Sequence, residues 1–165
     1  MRTWQYRQVS ADLTDKLQRL AENRARLIVV CGLPGSGKTT HAKRLEQELD
    51  AIRFCPDEWF EALSLDLYDE ARRAKIEALQ WQLAQRLLRR GVSVIIEWGT
   101  WGKTERDALR VGARDIRVPV ELHYLSVPVD TLFERIQRRG MESPPITRKQ
   151  LLEWVAIFET VTETV

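Results

Sequence analysis

The segment LIVVCGLPGSGKTT, residues 27–40, limits the fold more than any other stretch of this chain. Its first five residues form a short, continuous apolar run of the kind that makes a strand buried on both faces. The run passes directly into a stretch with glycine at positions 32, 35 and 37 and a single lysine, Lys38. Glycines at this density let the backbone curl until successive N–H groups face one anion. A helix that begins at the lysine adds the positive end of its dipole. GLPGSGKT fits GxxxxGK(S/T) in full, a pattern that roughly one random chain of this length in 150 to 200 would contain. With a strand before it and a helix after it, the segment reads as a phosphate cradle.

That reading assigns nucleotide binding to Gly32, Leu33, Pro34, Gly35, Ser36, Gly37, Lys38, Thr39 and Thr40. Lys38 reaches the β- and γ-phosphates in such loops, and the hydroxyl of Thr39 holds Mg²⁺. ATP and Mg²⁺ are therefore the expected cofactors.

Strand-like and helix-like segments alternate along the rest of the chain. Leu13, Leu17 and Leu20 mark a leading helix within residues 1–25, and Ala42, Leu45 and Leu49 give a helix starting at Lys38. AIRFC, VSVII and VELHYLSV read as three further strands. A long helix from Asp69 carries Ile76, Leu79, Leu83 and Leu87 on one face and stops near Gly91. Thr104 suits the N-cap of a helix through Ala108 and Val111, and Pro128 opens another that ends near Gly140. MESPPI reads as a mobile loop, and Thr147 with Gln150 forms a capping box for a last helix through Leu151, Trp154, Val155 and Phe158. No repeat or linker interrupts the pattern, so residues 1–165 are expected to form one domain, with a core over 26–140 and a lid loop with a terminal helix over 141–165. The predicted fold is α/β with three layers, a parallel sheet covered by helices on both faces.

Bulk properties exclude several function classes. Charged residues make up 30% of the chain, but the net charge is only +2, which gives no general electrostatic case for a nucleic-acid binder. No apolar run approaches membrane-spanning length, and the N-terminus lacks the apolar core of a signal peptide, so a cytoplasmic enzyme without membrane contact is expected. Cys31 and Cys55, at the ends of apolar runs, read as buried and reduced.

Ligands of open parallel sheets sit beyond the carboxyl ends of the strands, so residues just after each strand carry the search for chemistry. Asp57 follows the second strand, where a carboxylate could take the proton of an attacking hydroxyl; it also suits an N-cap for a helix from Glu58. Glu97 closes the third strand, where an acidic residue can orient Mg²⁺ through water. Arg135 and Arg139 share one face of the helix leading into MESPPI, where cations can stabilise charge spread over a transferring phosphoryl group. Trp59, Trp98 and Trp101 border the same region and suit a ring-lined acceptor pocket, whereas Trp81 and Trp154 fit core-facing positions. Arg106 reads equally as a ligand contact or a surface residue, and Arg72 with Arg73 as a solvated basic face.

A guanine-binding NKxD and an LSGGQ-like signature are absent, and the chain is too short for an AAA+ module with a helical lid domain. The set GLPGSGKTT, CPDEW, VIIEWGTWGKTER and VPVDTLFERIQRRG, over about residues 26–140, resembles the P-loop kinase group of AAA_33 type. That group contains polynucleotide 5′-kinases, zeta toxins and chloramphenicol phosphotransferase. The resemblance implies a nucleoside-monophosphate-kinase-like P-loop fold that transfers the γ-phosphate of ATP to a hydroxyl. It also implies Asp57 as the base and Arg135 and Arg139 as lid arginines, while Glu97 stands where the group more often has aspartate. A small molecule is the expected acceptor, with a 5′-hydroxyl nucleic acid as the second choice and an NTPase switch acting on a protein partner as the rival.

Overall fold

The computed structural model describes residues 25–140 and 144–161. The leading helix expected over Leu13, Leu17 and Leu20 lies outside the described residues, as do the first three residues of MESPPI.

Strands and helices alternate as β1 (Leu27–Cys31), α1 (Lys38–Leu49), β2 (Ile52–Phe54), α2 (Pro56–Ala62), α3 (Glu70–Leu88), β3 (Val94–Gly99), α4 (Lys103–Asp115), β4 (Val120–Tyr124), α5 (Val129–Arg139) and α6 (Arg148–Ile157). The sheet runs β2-β3-β1-β4 and every pairing is parallel. Parallel neighbours need long crossovers, and the helices supply them. From β1 the chain crosses through α1 to β2 on one side, and from β3 it crosses through α4 to β4 on the other. A crevice opens where the two connections diverge, beyond the carboxyl ends of β1 and β3.

Each strand alternates its side chains between two apolar layers. Ile28, Val30 and Ile95 meet Ala42 and Leu45 of α1 on one face. Leu27, Val29, Val94 and Ile96 meet Ala84 and Leu88 of α3 and Leu109 and Ala113 of α4 on the other. β1 is wholly buried between these layers, and each aliphatic side chain so enclosed contributes about 1.5–3 kcal/mol. A third cluster joins Leu132 and Ile136 of α5 to Leu151 of α6, and Leu33 of the glycine-rich loop packs on it. The pairing of β1 with β3 is irregular near its end: Val29 faces Ile96, but Cys31 faces Gly99, so β3 carries one extra residue there.

Several local expectations need correction. The buried residues of α3 are Ile76, Gln80, Ala84 and Leu88, while Leu79 is exposed and Leu83 and Leu87 are half-buried. The face is shifted because Gln80, though polar, satisfies its oxygen by accepting from the Trp98 indole N–H at 2.8 Å. In α4, too, Leu109 and Ala113 face the sheet and Val111 faces solvent. That helix starts earlier than Thr104: Gly102 is its N-cap, because the Glu105 carboxylate reaches back to accept the Gly102 N–H at 3.0 Å. The helix after β2 starts at Pro56 with Cys55 at the N-cap, which puts Asp57 in its first turn and not at the cap. The capping box of Thr147 and Gln150 is present as expected. Both cysteines are buried and neither is in a disulfide, and burial pushes the Cys55 thiol up, away from reactivity. No helix among the described residues is long and apolar enough to cross a membrane.

Candidate active site

Gly32 and Gly35 show why the loop after β1 must be glycine-rich. Gly32 has φ +147°, and a Cβ there would lie 2.8 Å from Ser36 Oγ and 2.9 Å from the Leu125 carbonyl oxygen. Gly35 has φ +80°, with the Leu132 carbonyl 3.0 Å from where its Cβ would stand. The loop is pressed between the end of β4 and helix α5, and only hydrogen atoms fit at these contacts. The Leu33 carbonyl accepts from Ser36 N–H and from the Lys38 ammonium at 3.0 Å, which closes the curl. Gly37 then begins α1 with no side-chain cap and no acidic residue in the first turn. The positive end of that helix is open to an anion.

Lys38, Thr39, Asp57, Glu97, Arg135 and Arg139 all line one cleft of ≈ 490 Å³, together with Pro34, Gly35, Gly37 and Thr40. Leu33 and Ser36 support the loop from behind: Leu33 through its apolar contact with α5 and α6, Ser36 as a buried residue whose hydroxyl has no partner among the described residues. Desolvation lowers the Lys38 pKa, and the nearby Glu97 and Asp57 carboxylates raise it part of the way back. Thr39 Oγ1 donates to Glu97 Oε1 at 2.5 Å, so the hydroxyl and the carboxylate expected to serve a metal do meet. Among the described residues no three His, Cys, Asp or Glu side chains cluster as a metal cage. A hard cation at this pair would need phosphate oxygens and water to complete its shell, which is how Mg²⁺ is usually held.

The second oxygen of Glu97 is taken by a residue that sequence reasoning missed. Arg53, from the middle of β2, donates to Glu97 Oε2 at 2.8 Å and also meets Glu46 and Glu58. Its side chain is only 5% exposed. Burial works against its charge, but the Glu58 and Glu97 carboxylates outweigh that and hold its pKa above the ordinary value. The signal was present: a charged residue inside the apolar run AIRFC has to be paired.

Asp57 stands on the cleft rim, largely exposed, and its Oδ1 accepts from Arg73 at 2.8 Å. Arg73 also donates to the Leu67 carbonyl and lies 5.0 Å from the Phe60 ring centre, so it is no solvated basic residue. From α5, Arg135 approaches the loop at the Gly35 carbonyl, 3.4 Å away, and Arg139 lines the cleft one turn later. The tryptophans are arranged differently from the expectation. None lines the central cleft: Trp59 packs on Phe54, Trp101 meets Trp154 with ring centres 5.9 Å apart, and Trp98 faces a separate hollow with Trp81. Arg106 is buried and holds the chain itself, donating to the carbonyls of Thr100, Trp101 and Glu159.

Comparison with known proteins agrees with this geometry. None of the curated proteins matches the sequence. Among solved structures, a chain of the Pnkp1/Rnl/Hen1 RNA repair complex superposes with TM-score 0.71 at 19% identity, over 82% of this chain and 44% of that one. This protein thus spans less than half the length of that neighbour. A gluconokinase from Sinorhizobium meliloti superposes with TM-score 0.58 at 18% identity, over 84% of this chain and 77% of that one. Kti12 from Chaetomium thermophilum, solved with ADP-AlF3, gives 0.60 at 24% identity, over 81% and 80%. These likenesses share the parallel sheet and its helices. The AAA domain family AAA_33 matches residues 27–161, most of the sequence. The chain therefore belongs to the AAA_33 family and carries a nucleotide-binding P-loop in a fold of P-loop kinase type.

Proposed function

We propose that this protein transfers the γ-phosphate of ATP to a hydroxyl group of a small molecule. The observation that carries the reading is the convergence of Lys38, Asp57, Glu97, Arg135 and Arg139 on one cleft at the carboxyl end of the sheet. The Asp57 carboxylate on the rim of that cleft is placed to take the proton of an attacking hydroxyl. The loop N–H groups and Lys38 would hold the phosphates, with Arg135 and Arg139 facing the equatorial oxygens of the group in flight. Thr39 and Glu97 would hold Mg²⁺, which when bound neutralises charge on the phosphates. Arg53 keeps the Glu97 carboxylate in place for that role. The acceptor oxygen forms its bond to the γ-phosphorus as the bond from phosphorus to the ADP oxygen breaks, and the hydroxyl proton passes to Asp57. Arg73 orients the Asp57 carboxylate and must share it for the proton to arrive.

The likeness to the Pnkp1 chain supports a second acceptor, the 5′-hydroxyl of a nucleic acid, whose phosphates could accompany Arg73, Arg135 and Arg139 along the cleft. Incubation with radiolabelled ATP and a panel of nucleosides, sugars, amino alcohols and 5′-hydroxyl oligonucleotides tests both acceptors. Label transferred to a small molecule supports the first reading, and label on the oligonucleotide alone supports the second. Phosphate released only to water would overturn both in favour of an NTPase switch.

A further inference from the structure

Beside the cleft, between α3 and α4, lies a hollow of ≈ 330 Å³ with features that packing alone does not explain. Two indoles, Trp81 and Trp98, line it, along with the carboxylates of Glu77 and Glu105, the Thr100 side chain and several alanines. The alanines leave the space open where larger residues would have filled it. Gly112 makes room for one wall, since a Cβ there would come within 2.6 Å of the Trp81 ring. No lysine or arginine lines it among the described residues.

Glu105 accepts the Gly102 N–H, but other polar groups in and behind the hollow lack partners among the described residues. Thr100 is 5% exposed, yet its Oγ1 makes no hydrogen bond, and Gln80 Nε2, behind Trp98, is fully buried and also unpaired. Glu77 makes no hydrogen bond or ion pair among the described residues, and burial pushes its pKa up to about 7 against the pull of Arg73. A hydroxyl buried at this depth normally finds a partner, so its orphaned state beside an open hollow points to a ligand. The hollow is separate from the cleft but neighbours it: the Asp57 charge reaches Glu77, and two elements carry residues of both. Trp98 directly follows Glu97 on β3, and Glu77 lies one helical turn beyond Arg73, the partner of Asp57.

We propose that this hollow is the acceptor subsite and that it takes a flat ring bearing a protonated amine, directing an attached hydroxyl toward Asp57. Indole faces attract rings and cations, and two carboxylates without a cation among the lining residues select positive charge over negative. Thr100 Oγ1 supplies a polar contact for orientation. An anionic nucleic-acid end has no counter-charge there. This inference rests on the phosphotransferase reading above and narrows its acceptor.

Three small alcohols separate the terms: phenylalaninol carries ring, ammonium and hydroxyl; 3-phenylpropanol lacks the ammonium; 3-phenyllactate replaces it with a carboxylate. Binding is read by quenching of tryptophan fluorescence in the ADP-loaded protein at pH 8. Phenylalaninol should bind at least tenfold more tightly than phenyllactate. Glu77→Gln should weaken phenylalaninol by about tenfold or more while leaving 3-phenylpropanol unchanged, as expected for loss of a charge-assisted contact. Gly112→Ala, which displaces the Trp81 ring, should weaken both without altering ADP affinity. Phenyllactate or a 5′-hydroxyl oligonucleotide binding as well as phenylalaninol would overturn the proposal. So would a Glu77→Gln protein with unchanged amine preference, or no binding of phenylalaninol at all. Failure of the underlying reading looks different: ring binding follows this pattern while ATP gives phosphate only to water.

Discussion

Asp57 holds its carboxylate at the cleft rim by a single ion pair to Arg73, so Asp57→Asn removes the charge while nearly keeping the shape. Because the side chain is 66% exposed, loss of the pair should change stability by only about 0–1 kcal/mol. Phosphoryl transfer should nevertheless fall by roughly 10²- to 10⁴-fold with ATP affinity preserved. Acceptor phosphorylation and ATP binding measured on one preparation check this, and normal transfer would remove Asp57 from the mechanism. Glu77 gives a prediction about pH. Its pKa is about 7 in the folded chain and near 4.5 when unfolded, raised by burial and by Glu105 and Asp57, with Arg73 opposing. Between those values the folded protein binds more protons, so this group's share of stability is full below about pH 4.5 and is lost as pH rises through about 7. Glu77→Gln should match the parent at low pH and exceed it above neutrality. Urea midpoints across pH 5–8 that stay parallel for the two proteins would contradict that.

At the scale of elements, helix α5 couples the phosphate loop to the rest of the cleft. Its Leu132 carbonyl and Ile136 side chain back Gly35, while Arg135 and Arg139, on an adjoining strip of the same face, reach into the cleft. Replacing either arginine with alanine should lower kcat more than it raises the KM for ATP, because their contacts strengthen as charge moves onto the transferring group. Steady-state kinetics that show a KM effect alone would make them ordinary nucleotide contacts. The strands, the glycine-rich loop and α1 were legible in the sequence because each depends on a local pattern: a β-branched run, a spacing of glycines, an apolar period. What the sequence hid depends on distant partners. Arg73 looked like half of an exposed basic pair, yet its phase on α3, one turn ahead of Ile76 and Glu77, turns it toward Asp57. The face of α3 was misjudged for a similar reason, since Gln80 is buried only because Trp98, far along the chain, donates to it. Trp98 was read as bordering the region of Asp57 and Trp81 as core-facing, but spacing could not tell that the two wall a hollow of their own.

Across the whole molecule, the C-terminal segment closes over the end of the sheet. The Glu159 N–H donates to the Trp101 carbonyl, Arg106 donates back to the Glu159 carbonyl, and Phe158 stacks on Tyr124 at 5.4 Å. Arg106→Met should leave the buried Thr100 carbonyl without its Arg106 donor, take one of two donors from the Trp101 carbonyl, and destabilise the fold by about 1–3 kcal/mol. A fall in thermal midpoint with ATP affinity retained is the expected outcome, and an unchanged midpoint would mean the clamp is dispensable. The extra residue of β3 between Ile96 and Gly99 bears on how this protein can change by descent. Along a pleated strand, side-chain direction is a matter of parity, so substitutions at positions 97 and 98 alter one site each, but a deletion there turns every later side chain to the opposite face. Trp98, which faces the hollow, should accept replacement far more readily than Glu97, which holds Thr39 and Arg53, and the segment should accept insertions or deletions almost never, which leaves acceptor choice free to drift while the phosphate chemistry stays in frame.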